Sequence, residues 1–251
     1  MFIKLLKYDL KAMGRILIPF WILAFVIGVL WMRENQKYMY EFRPDLTLEQ
    51  IFGAMFVLLI MAVIILNLVI IIQYFWKGLL KEEGYLMFTL PVSIRSLILS
   101  KVISAMIICC TTVAVGWLLV LVMEVMRGFV LNNFLKYYFG AFDSYRQGIF
   151  ATVEFFLLYP LKWIYQFYAS MAVGQLKGQN RFFWSVGAFC CWLVLFHILE
   201  MFISWVIMNI WKTEMLYQNM SQIAFFAGLI SEILICHAVT EYILTKKLNL
   251  E

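Results

Sequence analysis

The fold is decided by residues 51–76, which read IFGAMFVLLIMAVIILNLVIIIQYFW. This run contains no charged residue, and it is longer than the roughly 20 apolar residues that a helix needs to cross a bilayer. Its apolar residues are continuous, whereas a strand of a membrane barrel alternates between apolar and polar residues. Thr47 and Gln50 precede it in a capping-box pattern, which is typical of a helix start. The run therefore predicts a membrane-spanning helix.

Five further runs are also apolar and long enough to be predicted as spans. They are Ile16–Trp31, Val102–Met126, Ile149–Gln175, Phe182–Trp211 and Ile223–Leu244. The chain is 65% hydrophobic and 14% charged, whereas soluble domains are about 45–50% apolar and roughly 25% charged. Because a bilayer offers no hydrogen bonds to exposed backbone, we expect an all-α membrane protein with six spans, forming one domain over residues 1–251. The fifth run exceeds one plain crossing, which leaves room for a re-entrant break near its outer end.

The loops indicate the orientation, because cytoplasmic loops of membrane proteins are rich in Lys and Arg. With the N-terminus inside, the inner segments carry the majority of these residues, so both termini are predicted to be cytoplasmic. The first run follows a basic stretch, as the apolar part of a signal peptide would. Met32, Arg33 and Glu34 after it provide no small-x-small cleavage site. We therefore predict an uncleaved first span.

Residues 1–15 are predicted to form a separate amphipathic helix that lies in the membrane interface. One face is apolar, and the other carries the basic residues Lys4, Lys7, Lys11 and Arg15. Such a helix buries its apolar face among the lipids and turns its basic face toward anionic head groups. The alternative interpretation is a simple basic anchor that fixes the orientation.

The longest inner loop, residues 77–101, is amphipathic. Gly84 allows a break between two helical pieces, and Pro91 disfavours helix in the residue before it. Ser93 can cap the helix that leads into the third span. The loop therefore predicts a short helix on the inner face of the membrane.

Residues 83–93 of this loop read EGYLMFTLPVS. The pattern Glu-Gly-x-x-x-x-Thr-Leu-Pro-x-Ser between the second and third spans resembles the signature loop of bacterial type-2 ABC exporter permeases. The chain length, the six predicted spans and the basic amphipathic N-terminus agree with the layout of that family. The resemblance in sequence is confined to this loop.

In that family the loop is a coupling helix that docks on a separate ATPase subunit. The resemblance implies ATPase-coupling roles for Glu83, Gly84, Tyr85, Thr89, Leu90, Pro91 and Ser93. It also implies two ATPase subunits, which hold ATP and magnesium, and a second permease that is either an identical chain or a paralogue. No G-x-x-x-x-G-K-[ST] phosphate loop occurs in this chain. The alternative interpretation is an interfacial loop that only packs against head groups.

The resemblance further implies a multi-pass protein of the bacterial plasma membrane that exports an amphiphilic cargo. A peptide, such as a bacteriocin or cytolytic toxin, is the expected cargo, with drugs, lipids or sodium ions as alternatives. A secondary transporter is the alternative mechanism. An intramembrane protease is disfavoured, because Met87 occupies the Arg position of the Glu-Glu-x-x-x-Arg motif that Glu82 and Glu83 begin. We expect no catalytic residue in this chain and no nucleic-acid partner, since the net charge of +5 reflects loop topology.

Ionisable residues inside the predicted spans are functional candidates, because charges are costly in a bilayer. The candidates for a translocation path are Glu154, Lys162, His197, Glu200 and Glu232. Three interpretations stay open: they line a path for the cargo, they pair between helices, or they relay protons. His197 and Glu200, one turn apart, could form half of a metal site. No second half is evident and no C-x-x-C occurs, so neither a metal nor a cofactor is expected in this chain.

Overall fold

A computed structural model describes residues 2–37, 48–80, 84, 93–126, 154–177, 179–210 and 214–246. Six α-helices and two short π-helices make up nearly all of this part of the chain, which contains no strand. In chain order they are α1 (Phe2–Lys37), α2 (Leu48–Phe75), π1 (Trp76–Leu80), α3 (Ile94–Met126), π2 (Glu154–Leu158), α4 (Tyr159–Gln175), α5 (Arg181–Ile210) and α6 (Glu214–Lys246).

Five stretches of helix in the described residues are long and apolar enough to cross a membrane. They are Ile3–Asn35, Gln50–Leu80, Ile94–Met126, Arg181–Ile210 and Ile223–Lys246. This finding confirms the all-α class and fits a membrane-embedded protein. The fourth predicted span corresponds to π2 and α4, which are not among the five.

The N-terminal helix differs from the prediction, because α1 runs without interruption from Phe2 to Lys37. No boundary near Arg15 separates an interfacial helix from a span. The side chains of Met13 and Leu17, on either side of the expected boundary, are fully buried. A single Gly costs a helix only about 0.5–1 kcal/mol, which is too little for Gly14 to end a helix that packing holds on both sides.

The fifth predicted span is likewise one continuous helix, α5, of 30 residues. At 1.5 Å per residue it is about 45 Å long, which matches a bilayer including its head-group layers. Its length is therefore explained without the re-entrant break that the sequence allowed. In its most apolar window only 6% of the residues are buried inside the chain.

The chain divides into two compact units that are interleaved in sequence. Unit A contains α1 from Leu6, α2 through Ile71 and α3 from Ile107. Unit B contains the start of α1, α2 from Ile72, π1, α3 through Met106, and all of π2, α4, α5 and α6.

Unit A is held together by an apolar core and by a polar contact between two of its helices. Ala24, Met32, Leu119 and Met123 form the buried core. Asn67 of α2 donates a hydrogen bond of 3.0 Å from Nδ2 to Thr112 Oγ1 of α3. Hydrogen bonds of this kind add to helix association in lipid, where apolar burial between helices contributes little.

Unit B is built around α4, the least apolar of the predicted spans. The ring of Tyr168 stacks on Phe75 with 3.8 Å between centroids, and both side chains are fully buried. Tyr168 also donates a hydrogen bond of 3.4 Å to the carbonyl oxygen of Lys101. Because α4 is surrounded by α5, α6 and π1, it can carry polar residues that a lipid-facing helix could not.

The backbones of α4 and α5 pass close to each other at Gly174. A Cβ added there would lie 1.9 Å from Ser185 Oγ and 2.7 Å from the carbonyl oxygen of Arg181. We expect Gly174→Ala to destabilise the protein by about 1–3 kcal/mol, because the backbone of α5 has to move away. Gly187→Ala is the matched control, since nothing lies within 4 Å of its added Cβ. Equal thermal unfolding of the two variants in detergent would contradict this packing.

Candidate functional site

Three charged side chains from three helices of unit B meet inside the predicted membrane region. Lys162 of α4 places its Nζ 2.9 Å from Glu232 Oε2 of α6 and 3.2 Å from Glu200 Oε1 of α5. We call these three residues the charge cluster. The sequence singled out each of them as a path candidate, and the structure brings them into direct contact.

The three side chains of the charge cluster are buried to different degrees. The Glu232 side chain is 1% exposed, Lys162 is 14% exposed and Glu200 is 29% exposed. The Lys162 ammonium group donates a hydrogen bond to Glu200 Oε1 and forms an ion pair with Glu232, whose two oxygens accept no hydrogen bond from the described residues. With all three groups ionised, the charge cluster carries one excess negative charge. The cluster is buried on the side of Glu232 and more exposed on the side of Glu200.

This geometry allows two chemical roles. The pairings satisfy otherwise costly intramembrane charges and thereby fix α4, α5 and α6 to one another. The same carboxylates could instead exchange Lys162 for a cationic group of a bound molecule, which the partial exposure of Glu200 permits. The charge cluster can therefore pair the three helices and also line a path.

The two other path candidates are less closely involved. His197 lies one turn before Glu200 with its Nδ1 3.9 Å from Glu200 Oε2, and its side chain is 72% exposed. Glu154 begins π2, but its side chain lies outside the described part of the structure. His197 therefore contacts the charge cluster at Glu200, its most exposed member.

A second polar group lies further along α6. Arg95, at the start of α3, forms an ion pair with Glu241 of α6. His237 Nε2 lies 3.8 Å from the other Glu241 oxygen, and the His237 ring meets Tyr165 edge-on. Sequence reasoning missed the role of Arg95, because its partner is 146 residues away. Only its place directly after the predicted coupling segment, as we call residues 83–93, could have drawn attention to it.

Most of the predicted coupling residues lie outside the described residues. These are Glu83, Tyr85, Thr89, Leu90 and Pro91. Gly84 is described and buried, and Ser93 is described and exposed. The Ser93 hydroxyl accepts a hydrogen bond of 3.4 Å from the backbone nitrogen of Ser96, in the first turn of α3. The predicted cap of the helix that leads into the third span is thus confirmed.

The described residues contain no group of three His, Cys, Asp or Glu side chains arranged to hold a metal ion. Comparisons of the chain with protein-family models, with curated proteins and with solved structures found no match.

Proposed function

We propose that this chain is the membrane-spanning subunit of an ATP-binding cassette exporter of the bacterial plasma membrane. The observation that carries the proposal is the sequence of residues 83–93 and its place between α2 and α3. In this proposal two copies of a separate ATPase bind ATP and magnesium and dock on the coupling segment. A second permease, identical or paralogous, completes the pathway.

The residues on both sides of the coupling segment contact helices that carry the charge cluster. Before it, π1 is buried at Gly78, Leu79 and Leu80 and packs on α4. After it, Ser93 caps α3 and Arg95 pairs with Glu241 of α6. A displacement of the segment would therefore be transmitted to α4 and α6, which is the property that ATP-driven coupling needs.

The proposal includes six spans, with π2 and α4 as the fourth. π2 contains 5 residues and α4 contains 17. Together they form about 33 Å of helix at 1.5 Å per residue. This length is sufficient to cross the hydrocarbon layer of a bilayer, which is roughly 30 Å thick. Lys162 and Gln166 lower the hydropathy of this stretch, but both are shielded inside unit B. Six spans place both termini on the same side, which we assign to the cytoplasm.

The proposed cargo is an amphiphilic peptide that is moved out of the cell. The charge cluster supports this cargo, because two carboxylates share one ammonium group and can accept a cationic group in its place. The largely unburied α5 supports an assembly, since its apolar surface requires lipid or a second permease.

The test is ATP hydrolysis in lipid nanodiscs by this chain co-purified with a candidate phosphate-loop ATPase from the same genome. We expect a stable complex whose turnover rises with one amphipathic peptide. Tyr85→Ala should weaken the complex, whereas Tyr8→Ala is the matched control, because Tyr8 is 70% exposed on α1, far from the segment in sequence. Failure to form a complex with any such ATPase would overturn the proposal.

Secondary transport is the second candidate, and the charge cluster is the observation that favours it. Secondary transporters place ion and substrate sites near the bilayer midplane, where buried charges are functional. Transport that continues in proteoliposomes without ATPase but follows an ion gradient would select this mechanism.

A further inference from the structure

Unit B contains a cavity of about 500 Å³ between the end of α2 with π1, the second half of α4 and the first half of α5. The volume lies within the range of roughly 300–1,000 Å³ that is typical of ligand sites. Sequence reasoning gave no sign of it, because its walls come from three separate segments of the chain.

Aromatic side chains form part of the cavity walls. Trp76, Phe167, Phe182 and Phe189 line it together with aliphatic side chains. Phe167 and Phe189 stack face to face, with 4.8 Å between centroids, and join α4 to α5. The hydroxyl groups of the lining serines Ser170 and Ser185 donate within their own helices. The cavity therefore offers a mainly apolar surface that suits a hydrocarbon chain.

The charge on the cavity is positive. Among the described residues that line it, Lys77 carries the charge and none is a carboxylate. Lys177, just before α5, places its Nζ 4.8 Å from the centroid of the Trp184 ring, and Arg181 follows as the first residue of α5. Three cations thus accompany an apolar cavity in this part of unit B.

The first turn of α5 also has the composition of a membrane interface. Phe182 and Phe183 are 68% and 75% exposed, and Trp184 is 52% exposed. Exposed aromatic residues next to Lys and Arg are typical of the head-group level, where basic pockets between helices bind anionic lipids.

We propose that this cavity binds an anionic phospholipid, with an acyl chain along the aromatic walls and the head group at Lys77. Charge complementarity selects an anionic over a zwitterionic head group. A cationic peptide would face Lys77 with no carboxylate among the described lining residues, so the cavity is distinct from the path proposed for the cargo. The inference does not depend on the ATPase.

The experiment is native mass spectrometry of the delipidated full chain with phosphatidylglycerol or phosphatidylcholine that carry the same acyl chains. We expect preferential retention of phosphatidylglycerol, and Lys77→Gln should reduce this preference about fivefold, the effect of about one kcal/mol per basic residue. Lys246→Gln is the matched control, because Lys246 is exposed at the end of α6 and does not line the cavity.

A second variant tests the apolar part of the cavity. Val186 lines the cavity and is 45% exposed, so Val186→Trp can fill the space without overpacking a closed core. We expect it to reduce retention of both lipids. Equal retention of the two lipids by the unmodified chain, or equal behaviour of Lys77→Gln and Lys246→Gln, would overturn the proposal. Loss of cationic peptide binding in Val186→Trp, without any lipid preference, would assign the cavity to the cargo and also overturn it.

Discussion

Lys162→Met is expected to lower the free energy of unfolding by about 3–5 kcal/mol, the usual cost of removing one partner from a buried ion pair. The substitution keeps the volume of the side chain but leaves Glu200 and Glu232 facing each other without a cation. Glu232 is 1% exposed and cannot recover its hydration. The measurement is reversible unfolding of the purified chain in mixed micelles, followed by Trp fluorescence.

The double variant Lys162→Met with Glu232→Gln serves as the control for this prediction. Neutralising the most buried carboxylate removes the uncompensated charge, so we expect more than half of the lost stability to return. Glu200→Gln alone should lower the free energy of unfolding by less than Glu232→Gln does. The Glu200 side chain is 29% exposed and stays in contact with the environment outside the chain. Additive effects of Lys162→Met and Glu232→Gln would show that the two residues are not coupled.

The same variants separate the interpretations of the charge cluster. Glu200→Gln and Glu232→Gln would both change peptide-stimulated ATP hydrolysis if the carboxylates line the path. Reduced folding yield with unchanged stimulation would make them packing residues. A shift in the pH dependence of transport, with unchanged stability, would indicate proton relay.

Gly84→Ala is expected to reduce peptide-stimulated ATP turnover of the complex at least tenfold. An added Cβ would lie 2.7 Å from the backbone oxygen of Leu79, and the Leu79 side chain is fully buried, so π1 cannot give way. The start of the coupling segment must move instead. A displacement of functional groups by about 1 Å can lower the reaction rate about a hundredfold. The measurement is ATP hydrolysis in nanodiscs, with the affinity for the ATPase determined in parallel.

Gly228→Ala is the matched control for Gly84→Ala, because nothing lies within 4 Å of its added Cβ. It should leave turnover and ATPase affinity unchanged. Tyr85→Ala removes a side chain from the same segment while Gly84 stays intact, and we expect a comparable loss. Unchanged turnover in both Gly84→Ala and Tyr85→Ala would refute the coupling assignment.

The long helices could be predicted because the bilayer criterion depends only on the local composition of each run. The run from Ile51 to Trp76 satisfies it without reference to any other part of the chain. The Ser93 cap was equally local and was confirmed. The continuity of α1 through Arg15 was not predicted, because it depends on the packing of Met13 and Leu17.

The candidate site could be predicted only as separate residues. Lys162, Glu200 and Glu232 stood out because each is a charge in an apolar run. Their contact depends on how α4, α5 and α6 are rotated about their axes, which no pattern within a single helix determines. The pairing of Arg95 with Glu241 is non-local in the same way.

The interleaving of the two units has a consequence for biosynthesis. The described helices of unit A are all made by the time the ribosome reaches Met126, so this unit can assemble early, as N-terminal parts of chains generally do. Unit B can be completed only after α6 has been translated, because this last helix ends at Lys246. Lys162 and Glu200 are translated first and can enter the bilayer as a neutral pair, and Glu232 joins them last. In an arrested nascent chain that ends before α6, Lys162 and Glu200 would lack Glu232. The surface that α6 normally covers would then be exposed to the insertase and to membrane quality-control proteases.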